Sequence, residues 1–196
     1  MTAAATIHAS CVVVGEAGVL IRGPSGAGKS SFSVALIERA EAQGLFGGLV
    51  ADDRTRLSRA GGRVLAEPPE ALRGLIERRG VGLFRLPALS ACVVRFVVDI
   101  EDQPERMPEP EAATTRLLDQ LLPRIAARRS DPEAAAIALF AVQNWTSFVH
   151  DGSELAFAPQ HGKMMRSAPH APVRRTGRPV AAGPEPERNE FCAETA

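Results

Sequence analysis

Residues 23–30 read Gly-Pro-Ser-Gly-Ala-Gly-Lys-Ser, which satisfies the pattern G-x-x-x-x-G-K-S in full. Glycines at these positions let backbone N–H groups turn inward around phosphate oxygens. Lys29 can reach the β- and γ-phosphates of a bound nucleotide, and the Ser30 hydroxyl can ligate Mg²⁺. The residues before the pattern, VLIRG, read as a strand, and those after it as a helix over Lys29–Ala42. The loop therefore opens onto a helix N-terminus, where free N–H groups and the helix dipole favour anions. Gly23, Pro24, Ser25, Gly26, Ala27, Gly28, Lys29 and Ser30 are accordingly the candidate nucleotide-binding residues.

A phosphate grip does not say where the phosphoryl group goes, so the other chemistry-bearing residues matter. Asp52 and Asp53 follow the apolar run GLVA, at the end of a strand, where phosphoryl-transfer folds place a metal-facing carboxylate. Neighbours on a strand point to opposite faces. One Asp can then hold a metal-bound water while the other meets the substrate. The plainer reading is a capped turn, with Asp52 accepting backbone N–H groups and Asp53 solvated. Glu77 lies in LIERRGVGL, beside Arg78 and Arg79 and ahead of Gly80 and Gly82. That composition fits either a loop that approaches a ligand closely or a solvated helix end. His8, in TIHAS, is a lone histidine of a kind that is usually incidental.

The elements that must position these residues are legible from apolar pattern and turn chemistry. CVVVG (11–15) and VLIRG (19–23) read as two strands joined by the turn Glu16-Ala17-Gly18, a hairpin whose second strand feeds the glycine-rich loop. The helix after the loop stops near Gln43-Gly44. GGLVADD (47–53) is a buried strand ending in the two carboxylates. Alternating stretches at 55–59 and 63–67 flank the turn Gly61-Gly62, and ALSACVVRFVVDI (88–100) carries another strand. EDQPERMPEPEA reads as a surface loop. DPEAAAIALFAVQNW (131–145) reads as a helix with Asp131 as N-cap and Pro132 in the first turn.

Composition narrows the function classes. The 196 residues suit one domain with a tail, and 45% apolar residues suffice for an ordinary core. Lys and Arg number 23 against 23 Asp and Glu, so no global field recruits nucleic acid or an anionic membrane. With one Trp, eight Phe and no Tyr, stacking on single-stranded nucleic acid is not expected. Cys11, Cys92 and Cys192 form no C-x-x-C pair and read as reduced thiols of a cytoplasmic protein, the first two as small core residues. Neither a leader segment nor an apolar run long enough to span a bilayer is evident. From about Asp151 the chain is rich in Pro, Gly, Arg and Ala and reads as a disordered tail. The expected division is a catalytic domain over 1–148 and a tail over 149–196.

Taken in order, these pieces resemble the catalytic domain of the HPr kinase/phosphorylase family. The likeness is carried by a His before a VVV strand, a turn, VLIRGPSGAGKS, LVADD and IERRGVGL, with His8 placed 21 residues before Lys29. It covers roughly residues 6–140. The resemblance implies an α/β P-loop domain with a mixed sheet of the phosphoenolpyruvate-carboxykinase-like kind. The hairpin leading into the loop leans the same way, because GTPase-type chains reach their loop from a parallel strand. It implies ATP and Mg²⁺ as cofactors, transfer of the γ-phosphoryl group to a serine of HPr or an HPr-like phosphocarrier, and hexamers. It also implies reversal of the transfer with inorganic phosphate, giving pyrophosphate. By matching position, Lys29 stabilises the β/γ-phosphates, Ser30 and Glu77 hold the metal, and Asp53 takes the proton from the target serine. His8 tunes Asp53 or holds phosphate, and 76–85 is the signature loop.

The chain departs from that pattern in places. Its first strand begins close to its start, as in the short form that lacks the N-terminal domain and serves a nitrogen-related phosphotransferase branch. The family's His-Gly is His8-Ala9, Ser31 replaces a Glu, and AQGLFGG lengthens the link to LVADD. No P-V-R-P-G-R segment is present. The catalytic arginine is either Arg128 or Arg129, ahead of the last helix, or lies in PVRRTGR (172–178), with Arg129 preferred. The segment needed for dephosphorylation is not recognisable. Two other functions compete: a small-molecule kinase, which needs a lid with several arginines that ERRGVGLFR resembles only superficially, and an ATP-binding regulator without chemistry, against which the intact Lys29, Ser30, Asp53 and Glu77 argue.

Overall fold

The computed structural model describes residues 5–145, 149–150 and 153–154. In chain order the elements are β1 (Ala5–Ile7), β2 (Ala9–Val14), β3 (Ala17–Arg22), α1 (Lys29–Ala42), β4 (Gly47–Ala51), β5 (Thr55–Ala60), β6 (Arg63–Glu67), β7 (Leu75–Arg78), β8 (Gly82–Arg85), β9 (Cys92–Glu101), β10 (Thr114–Leu117), β11 (Gln120–Arg128), α2 (Ala134–Asn144), β12 (Val149–His150) and β13 (Ser153–Glu154). The expected tail, 149–196, lies outside the described residues except for the short β12–β13 ladder, and Cys192 and the PVRRTGR arginines lie outside them too.

Nine strands form one mixed sheet, β1 through β6, β9, β10 and β11. The hairpin β2–β3 is antiparallel with Ala9 opposite Arg22, and β2 also pairs antiparallel with β4. On its other side β3 runs parallel to β9, and β9 runs parallel to β11. These pairings fix direction: β3, β4, β9 and β11 all run the same way and β2 runs against them. The carboxyl ends of four strands and the start of β2 therefore meet along one rim. That rim is where ligands of open α/β sheets bind.

Side-chain alternation builds two cores. Val12, Val14, Val19, Ile21, Leu49, Phe96, Val98 and Ile100 pack with Leu36 of α1 and Leu139 of α2 on one face. Cys11, Val13, Leu20, Val50, Leu57, Val64 and Val97 pack on the other, under the β5–β6 hairpin. On that second face the Cys11 and Cys92 thiols lie 3.5 Å apart, both reduced. Cys11 is buried as expected, but Cys92, at the start of β9, is only half-buried.

The helix after the glycine-rich loop has the expected bounds. Asp131 accepts the Glu133 N–H at 2.8 Å, but α2 begins at Ala134, because Pro132 and Glu133 form a turn ahead of it. Glu77 lies on strand β7, neither in a loop nor at a helix end. The cause is the hairpin β7–β8, whose turn takes up the glycine that suggested a loop, Gly80 at φ 78°. β10 and β11 carried no apolar alternation strong enough to announce them. No helix among the described residues is long and apolar enough to cross a membrane.

Candidate functional site

The glycine-rich loop spans the gap between the end of β3 and the start of α1. Gly28 sits at φ 93° as the N-cap of α1 and offers no side chain, so the first-turn N–H groups carry no side-chain cap and face the loop. Gly26, at φ 73°, has the Arg79 guanidinium 3.2 Å from where a Cβ would stand. The Arg129 guanidinium donates to the Gly26 carbonyl at 2.8 Å and pairs with Asp102 at 3.5 Å. Two arginines distant in sequence thus converge on one residue of the loop. Lys29 is almost wholly buried, and its ammonium donates to the carbonyls of Gly23 and Pro24 at 3.1 Å each. Burial pulls its pKa below the ordinary lysine value, against the charges of Asp53 and Asp52, which pull it up.

The two carboxylates after β4 part company. Asp52 is buried and accepts hydrogen bonds from Ser10 of β2 at 2.7 Å and Ser30 of α1 at 2.8 Å. Asp53 is in the left-handed conformation, φ 62°, which short polar side chains tolerate best. This turn carries its side chain off the strand and into the open, 66% exposed, where it pairs with His8 at 2.9 Å. His8 reaches that point because it directly precedes β2, whose start lies on the same rim as the end of β4.

His8, Ser25, Gly26, Gly28, Lys29, Ser30, Asp53 and Glu77 line one cleft of 330 Å³, together with Ser31 and Arg79. Glu77 faces it because its neighbour Ile76 is buried against α1, and alternation turns the next side chain outward. The carboxylates of Asp52, Asp53 and Glu77 and the Ser30 hydroxyl are hard oxygen donors, the set that suits Mg²⁺. Among the described residues no group of three or more His, Cys, Asp or Glu forms a metal site on its own.

Beneath the loop lies a second charged group. Arg22, the last residue of β3, forks onto Asp99 with two bonds of 2.7 Å. Arg124 of β11 bonds the same carboxylate and also Glu101. Burial alone would raise the Asp99 pKa, but the hydrogen bonds and charges of Arg22 and Arg124 outweigh it and hold the carboxyl below its usual value.

The structure brings His8, Lys29, Ser30, Asp53 and Glu77 into a single cleft, and of the two arginines at the end of β11 it is Arg129 that hydrogen-bonds the glycine-rich loop, at the Gly26 carbonyl. Sequence reasoning missed Ser10, the Arg79 contact and the Asp99 group. Ser10 has no local signature, since a serine on an apolar strand reads as neutral. Arg79 was visible only as a charge beside Glu77.

Residues 1–91 match the family HPr Serine kinase C-terminal domain. HPr kinase/phosphorylase of Alkaliphilus metalliredigens is 40% identical over 98 residues, which is 49% of this chain and 30% of that protein. HPr kinase/phosphorylase of Bordetella pertussis is 44% identical over 79 residues, 40% of this chain and 24% of that protein. The chain thus spans under a third of the length of the curated relatives it matches. The structure of the Hpr(Ser) kinase/phosphatase from Coxiella burnetii is similar with a TM-score of 0.60 and 26% identity, covering 72% of this chain and 90% of that chain.

Proposed function

We propose that the chain carries the C-terminal domain of the HPr kinase/phosphorylase family, as its similarity over residues 1–91 and its fold support, and that it is an ATP-dependent protein-serine kinase acting on HPr or an HPr-like phosphocarrier. The observation that carries the reading is the His8–Asp53 pair, 2.9 Å apart and open to solvent, on the wall of the cleft floored by Lys29 and Ser30. A serine hydroxyl is a weak nucleophile, and a carboxylate within hydrogen-bond reach takes its proton as the new bond forms. An exposed carboxylate at the cleft mouth can meet a serine presented on another protein's surface. A fully buried carboxylate such as Asp52 cannot.

In this reading each residue acts from where it lies. Lys29 exchanges its carbonyl partners for β- and γ-phosphate oxygens. The backbone N–H groups of Gly26, Gly28 and the first turn of α1 hold the remaining phosphate charge. Ser30 and Glu77 would hold Mg²⁺, with Asp52 as the buried carboxylate that orients the Ser30 hydroxyl, and the ion would supply neutralisation of phosphate charge. Arg129 and Arg79, both at Gly26, stabilise the charge that spreads over the transferring phosphoryl group. His8 fixes the Asp53 carboxylate toward the acceptor. When the transfer is reversed with inorganic phosphate, Asp53 returns the proton. The sheet, with β3 flanked by antiparallel β2 and parallel β9, supports assigning the domain to the phosphoenolpyruvate-carboxykinase-like kind of P-loop fold. By the same likeness the working assembly is a hexamer in the cytoplasm.

The test is a transfer assay with γ-labelled ATP, Mg²⁺ and the HPr-like protein of the same organism. Label appears on a serine of the carrier and is absent with Asp53→Asn. Saturable ATP binding without label on any carrier serine overturns the reading in favour of an ATP-binding regulator or a kinase for another acceptor.

A further inference from the structure

Strand β9 changes partners partway along one edge. β6 pairs with Cys92, Val93 and Val94, and β11 takes over from Val97. Neither register includes Arg95 or Phe96. On the opposite edge, β3 sets Gly18 against Val94 and Val19 against Phe96, so Arg95 is skipped there and bulges. A bulge re-aims the side chain it carries and is common beside sites.

A cleft of 190 Å³ opens where β6 and β11 part. Val64, Val93, Leu121, Leu122 and Trp145 give it apolar walls, and it shares no lining residue with the phosphate cleft. Its two cations are Arg63, which is exposed, and Arg95, which is half-buried. Among the described residues no Asp or Glu lines it, and neither arginine has a hydrogen bond or ion pair. The Arg95 Nε is buried without an acceptor. A buried donor of this kind is costly to leave unpaired. Arg22 shows what the same edge of a guanidinium takes in this fold: its Nε and one Nη hold the two oxygens of Asp99 at 2.7 Å each. A planar carboxylate matches that fork, whereas an anion charged all round would set oxygens against valine and leucine. The volume is below that of drug-sized pockets, which limits the carbon body to metabolite size.

We propose that this cleft binds a small organic acid, its carboxylate on the Nε–Nη edge of Arg95 with Arg63 at the rim, and its carbon body against Val64, Val93, Leu121 and Trp145. The inference stands apart from the kinase reading, because none of its residues belongs to the phosphate cleft.

The chain has one tryptophan and no tyrosine, so the fluorescence of Trp145 reports on this cleft. The full chain is titrated with butyrate, with its neutral amide butyramide and with inorganic phosphate, and thermal midpoints are read for the first two. Butyrate gives a saturable change and raises the midpoint, as a ligand of the folded state must. Butyramide binds at least about tenfold more weakly, and phosphate leaves Trp145 unmoved. Arg95→Met abolishes the butyrate response and keeps or raises the midpoint of the free chain, since it removes a buried donor that has no acceptor. A merely structural Arg95 would instead lower that midpoint. Arg63→Ala weakens butyrate about threefold. No saturable response to butyrate in either reading overturns the site. An equal response to butyramide, or an undiminished one in Arg95→Met, overturns the carboxylate fork, and phosphate moving Trp145 as strongly as butyrate overturns the ligand class. Where Arg95→Met fails to fold, the butyramide comparison and the exposed Arg63→Ala keep the test decisive.

Discussion

Two charged groups stand at the same rim of the sheet, and they are built in opposite ways. The Asp99 carboxylate lies at the end of β9 on regular strand backbone, 16% exposed, with Arg22 and Arg124 both bonded to it. The Asp53 carboxylate lies just past the end of β4 on left-handed backbone, 66% exposed, with His8 as its single ion-pair partner among the described residues. The first saturates its carboxylate and joins three parallel strands below the loop. The second leaves one oxygen free at the mouth of a cleft. A carboxylate that is saturated and shielded holds a fold together, while one that is strained, open and half-satisfied is available for proton transfer.

The sharpest way to break the comparison is to neutralise each carboxylate in turn. Asp53→Asn keeps the left-handed preference and lowers the rate of phosphoryl transfer by about 10³-fold, with the thermal midpoint unmoved. Initial rates and a melting curve on one preparation check it. Loss of stability in place of rate would assign Asp53 to the fold. Asp99→Asn does the reverse, since it leaves Arg22 and Arg124 facing a neutral group. A cost of about 3 kcal/mol is expected, read from the urea midpoint, while transfer per folded molecule changes little.

The pH dependence separates the same two groups. Asp99 titrates lower in the folded chain than unfolded, so its contribution is complete above the unfolded pKa and is lost as pH falls through the lower folded value. Wild type therefore sheds stability below about pH 4, and Asp99→Asn lacks that part of the acid limb. Denaturant midpoints measured from pH 6 down to pH 3 distinguish the two.

Asp52 tests the middle of the comparison, having both carboxylate oxygens bonded like Asp99 and lying adjacent to the cleft like Asp53. Asp52→Asn costs about 1–3 kcal/mol, because the Ser10 and Ser30 hydroxyls both lose a charged acceptor and one of them faces an amide N–H instead, and it also weakens Mg²⁺-dependent ATP binding. A change in stability alone would place Asp52 with Asp99. The smallest effect is expected from His8→Gln, about tenfold in rate through looser orientation of Asp53, with binding of ATP unchanged in calorimetry.

The parts of the site legible in the sequence were those whose chemistry is local. The glycine-rich loop and α1 announce themselves, because glycines, a lysine and a helix stop signal act within a few residues of each other. The carboxylate pair was visible, but its division was not. That Asp52 turns in and Asp53 out depends on Ser10, a residue of another strand placed by hairpin register. The strands β2, β3, β4, β5 and β6 followed from apolar runs and from the Gly61-Gly62 turn. β10 and β11 did not, since neither has a clean alternating pattern. The Asp99 group was illegible for a related reason: its two arginines, Arg22 and Arg124, are brought to β9 by parallel pairing between segments far apart in the chain, and no short window holds either of them with Asp99.

That parallel pairing also sets an order of events during synthesis. The family match ends at residue 91, immediately before β9. Until β9 emerges, β3 has β2 on one side and a row of unpaired N–H and C=O groups on the other. The glycine-rich loop, the most conspicuous feature of the early chain, therefore hangs from a half-finished edge while roughly half the protein is still to be made. Joining β3 to β9 closes a loop of some seventy residues, the kind of long-range contact that is slow to form. A truncated chain ending at the family boundary would expose a flat apolar edge and associate with its own kind, and in the nascent protein that same edge is the one most in need of a chaperone's cover.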